Sequence, residues 1–131
     1  MLINCTNHPY EILNTSQRDA ANRLYGEVAD LPFPQVDPTL DSGGIRRMVT
    51  EYAAMIEEKK PDAVLAAGEF TFLFMLVDRL LRDGIQVVCT CSRRDTVEAI
   101  KPDGTVEKKS VFSFEGFRAY EFYGEHHESP Q

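Results

Sequence analysis

Tryptophan is missing from this chain, cysteine and histidine occur only three times each, and positive charge is scarce. No apolar run approaches the roughly 20 residues that cross a bilayer, so no membrane partner is expected. Cys5, Cys89 and Cys91 are odd in number and give no disulfide framework. The C-x-C spacing of Cys89 and Cys91 is too tight for a standard structural zinc site, and outside the C-terminal tail only Cys5 and His8 could complete one. Neither a metal nor another cofactor is expected. The P-loop pattern G-x-x-x-x-G-K-[ST], the G-x-S-x-G elbow and the H-E-x-x-H zinc motif are all absent, and Gly43-Gly44 alone is no dinucleotide fingerprint. Fourteen Lys and Arg against 21 Asp and Glu give a net charge of −7. That excess of acid argues against a broad surface for duplex nucleic acid, which needs clustered cations over many phosphates. A small anionic ligand in a local pocket remains compatible with it. Met1-Leu2-Ile3-Asn4 has neither the basic flank nor the long apolar stretch of a signal peptide, so the cytoplasm is the expected location.

What is present suits one folded domain: 131 residues, 43% hydrophobic and 27% charged. Leu2-Ile3-Asn4-Cys5 reads as a first strand. A helix follows over Ser16 to Tyr25, with Thr15 or Ser16 as N-cap and Gly26 as its stop. Glu27 to Leu31 reads as a short strand, ended by the three prolines of 32–38. An amphipathic helix runs from Asp41 or Ser42 to about Lys60, with Ile45, Met48, Val49, Tyr52, Ala53 and Ile56 on one face. A third strand over Asp62 to Ala67, an apolar helix over Phe70 to Arg82 and a fourth strand over Ile85 to Thr90 complete the alternation. This order predicts an α/β fold, a single Rossmann-like three-layer domain over 1–123 with a mostly parallel four-stranded sheet. A separate C-terminal β-hairpin is expected from Thr96 to Ile100 and Thr105 to Phe114 around Lys101-Pro102-Asp103-Gly104. The stretch 124–131, with His126, His127 and Pro130, reads as a loose tail. Phe70, Phe72, Phe74, Phe112, Phe114 and Phe117 are assigned to the core or an interface.

In a parallel sheet ligands gather at the carboxyl ends of the strands. Thr6-Asn7-His8-Pro9 follows the first strand, and Gly68-Glu69-Phe70-Thr71 follows the third. If those strands are neighbours, both clusters face one crevice. His8 can act as acid, base or cationic donor near neutrality, or can serve only to hold its loop. Gly68 permits close approach of a ligand to the backbone, and the helix it precedes offers amides to an anion. Glu69 caps that helix, binds a ribose hydroxyl or orients His8; Thr71 bonds a phosphate or its own backbone. Thr90-Cys91-Ser92-Arg93-Arg94-Asp95 is expected as a loop after the fourth strand. Its hydroxyls and two guanidinium groups suit a phosphate, with one arginine on the ligand and the other exposed or paired with Asp95.

With these motifs in this order, the chain resembles the small Rossmann-like accessory proteins associated with type III CRISPR systems, ring nucleases among them. The likeness spans about residues 1–120. It implies binding of a cyclic oligoadenylate, most simply cyclic tetra-adenylate, and its linearisation by metal-independent attack of a ribose 2′-hydroxyl on the adjacent phosphorus. It also implies a cytoplasmic homodimer, because a two-fold axis matches the symmetry of such a ring. Carried onto this sequence, the resemblance makes His8 the acid or base. Arg94 and the Gly68-Glu69 turn steady the phosphate, Asn7, Thr71 and Ser92 position the ribose, and Thr6 and Arg93 are further ligand contacts. Lysine is absent from all of these loops. A non-catalytic sensor or sponge for the same messenger, and a protein-interaction module using the proline loop and the hairpin, are the alternative readings.

Overall fold

Short, mostly apolar strands need cover on both faces, and Leu2–Cys5 (β1) and Ala63–Ala66 (β3) are buried at every position. In the computed structural model, which describes residues 1–124, they lie side by side at the centre of a mixed sheet. The other elements are α1 (Thr15–Tyr25), β2 (Val28–Asp30), α2 (Ser42–Glu58), α3 (Phe70–Arg82), β4 (Gln86–Ile100) and β5 (Val106–Ala119), with a 3₁₀ turn at Tyr10–Ile12. The strand order is β2-β1-β3-β4-β5, parallel except for β5. The chain is therefore an α/β protein, and among the described residues its sheet has five strands in place of the expected four with a separate hairpin. The expected tail carrying His126, His127 and Pro130 lies outside the described residues, apart from Gly124.

Alternate residues of the strands feed two cores. Ile3, Cys5, Val64, Ala66 and Val87 face α2 and α3, where Val49, Ile56, Phe72, Leu76 and Leu80 meet them. Leu2, Ala63, Leu65 and Val88 face the other way, toward Ala21 of α1, with Tyr25 and Phe117 at the margin. The helices start on side-chain caps. Asn14 accepts from the Gln17 amide, so the N-cap of α1 is Asn14 and not the expected Thr15 or Ser16; Asp41 accepts from Gly44 and Glu69 from Phe72.

The largest departure from expectation is β4. It pairs with β3 only as far as Val88, then continues with β5 alone, from Val88 opposite Ala119 to Ile100 opposite Val106. The expected loop at Thr90–Asp95 and the expected separate hairpin are one ribbon continuous with the sheet. The physical reason is that nothing between Cys89 and Ile100 breaks a strand: the stretch has no Gly or Pro, and Thr90, Cys91, Thr96 and Val97 suit an extended chain. The anticipated turn is where it was placed, with the Lys101 amide donating to Thr105 and Asp103 accepting from the Thr105 amide. At about 3.3 Å per residue the arm carries Ile100 roughly 40 Å past Val88. It leaves the sheet at the carboxyl edge of β1 and β3. A bulge sets its base, since Cys91 faces Gly116 and Ser92 faces Phe114, leaving Glu115 as the extra residue.

The aromatic assignment holds in part. Phe72 is wholly enclosed, edge-on to Phe33 and Tyr52, but Phe70, Phe74 and Phe112 are 85%, 75% and 64% exposed and belong to no core.

Candidate functional site at the strand ends

Adjacent β1 and β3 leave in opposite senses, β1 through α1 to β2 and β3 through α3 to β4, so the switch point of the sheet lies between them. Both predicted clusters sit at that edge. The residue that organises it was not among the candidates. Asn4, buried inside β1, donates from Nδ2 to the His8 carbonyl and to Asp30 Oδ1, each at 2.8 Å, and its Oδ1 accepts from the Thr6 hydroxyl at 2.8 Å. Asp30, at the end of β2, also accepts from the Tyr10 amide at 3.1 Å. A buried amide with all these bonds made is a rigid support. Thr6 is spent on it, and its oxygen also receives the His8 amide at 3.1 Å. Asn7 and His8 are left with exposed side chains on a loop fixed from below.

A small pocket of about 190 Å³ opens here, lined by Asn4, Thr6, Asn7, Pro9, Asp30 and Pro32. The second cluster opens onto a different one. Glu69 and Thr71 line about 270 Å³ together with Asp37, Asp41, Ser42 and neighbours from the proline loop. Phe33 divides the two. Its amide donates to the Thr6 carbonyl at 3.3 Å, and its ring lies so close to Gly68 that a Cβ there would sit 2.3–2.5 Å from ring carbons. The close approach that Gly68 permits is therefore made by Phe33, and the expected single crevice is split.

The carboxylates at this edge are occupied. Glu69 accepts from the Phe72 amide at 2.8 Å and from the Thr71 hydroxyl at 2.7 Å, and these bonds hold its carboxyl below the ordinary glutamate value. It stands where an anion would meet the start of α3, so the capping role is the one realised for Glu69 and Thr71. Asp37 is lowered likewise by the Thr39 amide and hydroxyl, and Asp41 caps α2. Cys5, behind the edge, has its thiol pushed up to about 12 by burial. Among the described residues no lysine or arginine lines either pocket, and no cluster of three potential metal ligands occurs.

The arginines stand on the arm. Ser92 and Arg94 share the ribbon face that continues from Val88 and Thr90, whereas Arg93 is on the opposite face. Arg93 approaches Glu115 at 3.4 Å, and Asp95 is not its partner. Arg94 lies over the Phe112 ring and donates to the Ser110 hydroxyl at 3.1–3.2 Å; Ser110 faces Thr96, so the guanidinium points toward the tip. Residues 92–94 are thus carried above the strand-end edge rather than folded into it.

A family model described as "Uncharacterized protein MJ1673 family" matches residues 1–118. The chain belongs to the MJ1673 family. The match runs from β1 to Arg118, so the strand-end edge and the whole arm fall within the MJ1673 family's limits. No curated protein matches the chain significantly.

Proposed function

We propose that this MJ1673-family protein is a Rossmann-like, CRISPR-associated accessory protein of type III systems that binds a cyclic oligoadenylate, most simply cyclic tetra-adenylate, and linearises it. The observation that carries the reading is the pair of exposed side chains, Asn7 and His8, on a loop that buried Asn4 locks at the β1/β3 switch point. A fixed loop bearing an imidazole and an amide can align a phosphodiester at little cost in ordering. In the step proposed, His8 takes the proton of a ribose 2′-hydroxyl as its oxygen attacks the adjacent phosphorus. The bond from phosphorus to the 5′-oxygen breaks, that oxygen gains a proton, and the product ends in a 2′,3′-cyclic phosphate. Asn7 and the Thr6 backbone hold the ribose and phosphate, and the active species is a cytoplasmic homodimer.

Incubation with cyclic tetra-adenylate in EDTA, with chromatography of the products, tests the reading. Linear product over many turnovers is expected, and His8→Ala lowers the rate by about 10²–10⁴-fold. Product unaffected by His8→Ala overturns the assignment. A second reading, a sponge that holds the ring intact, is favoured because among the described residues no lysine or arginine lines the pocket to stabilise charge developing on the phosphoryl group. Retention of uncleaved ligand on gel filtration would select it.

A further inference from the structure

A two-stranded ribbon is marginal by itself in water and needs something to pack against. Among the described residues, neither core contains any residue of the arm over 92–114; Phe114 meets the Phe117 ring at its base, and Ile100, Val106 and Phe112 are exposed along one face. The same molecule carries an open apolar groove of about 680 Å³ between α3 and the segment after β5. Phe70, Phe74 and Tyr123 are exposed along it; of its two carboxylates, Asp78 is paired with Arg82 at 2.9 Å, and the other is Glu121. Arm and groove are complementary in apolar character. The arm holds five cations against four carboxylates, so the strong negative charge of the chain resides wholly in the rest of it. An acidic body repels a second acidic body, and the arm is the part that another copy can accept.

We infer that the arm of one copy docks in the α3 groove of a second copy, reciprocally, making a two-fold dimer. The groove runs along α3 from Phe70 to Leu81, roughly 17 Å, and seats the apolar end of the arm at Ile100 and Val106; reciprocal exchange makes two such contacts per dimer. Each copy gives an arm and receives one, so the contact closes on itself and does not propagate into filaments. The inference rests on the homodimer in the function proposed above, and not on its ligand.

Light scattering of the full chain across a concentration series tests it, with Ile100→Asp on the arm and Phe74→Asp in the groove. Both residues are exposed, so each variant should keep the wild-type circular dichroism and Tm at dilution. A dimer whose Kd rises about 30-fold or more in each variant is expected. A monomer at all concentrations to about 100 µM, or a dimer indifferent to both substitutions, overturns the inference. A monomer that still cleaves cyclic tetra-adenylate would sink the arm exchange alone, whereas an arm-exchanged dimer that neither binds nor cleaves it would sink the ligand assignment alone.

Discussion

At the scale of single residues, the strand-end edge depends on groups whose importance no spacing reveals. Asn4 reads as one polar residue in a strand, but its side chain ties β1, β2 and the Asn7–His8 loop together. Asn4→Leu leaves Asp30 and the His8 carbonyl without their donor and should cost about 1–3 kcal/mol by urea denaturation; a neutral result would mean the loop is held otherwise. Gly68 was legible as a place of close approach, yet what approaches is Phe33, thirty-five positions away in sequence. Gly68→Ala should destabilise by about 1–3 kcal/mol, because the added methyl meets a ring wedged between elements. Glu69 gives a pH test. Its folded carboxyl lies below its ordinary 4.5, so its contribution is fully present above that value and is lost as pH falls through the lower, folded one. Glu69→Gln should flatten the acid limb of the stability profile, and an unchanged limb would remove the cap from the account.

Among the elements, α3 was placed correctly at Phe70–Arg82 because its apolar run lies between Gly68 and Gly84. Which of its aromatics enter the core was not legible: Phe70, Phe72 and Phe74 alternate, and only the fold shows that Phe72 points inward. At dilution Phe72→Ala should cost about 3–5 kcal/mol in unfolding free energy, and Phe74→Ala should cost little. Similar losses would mean the helix is rotated from the orientation described. The β-arm was half legible. Its turn was read from Pro102-Asp103-Gly104, but the polar stretch at Ser92–Asp95 looked like a loop because strand pairing with a segment some twenty residues later outweighs polarity. If the arm docks on a second copy, its amide protection in hydrogen exchange should rise with protein concentration while that of β1 and β3 stays constant.

For the whole molecule, the parallel core and its switch point followed from the alternation of strands and helices, and the edge that bears Asn7 and His8 followed from that order. The division of the edge by Phe33 and the removal of both arginines to the arm did not, since each depends on tertiary placement. The function proposed places the ligand on the Asn7–His8 loop, and the most direct test is amide NMR of the protein during titration with cyclic tetra-adenylate. The account predicts saturable shifts centred on Thr6, Asn7 and His8 that Asn7→Ala weakens. An unchanged spectrum, or shifts confined to residues remote from the β1 and β3 ends, would contradict it.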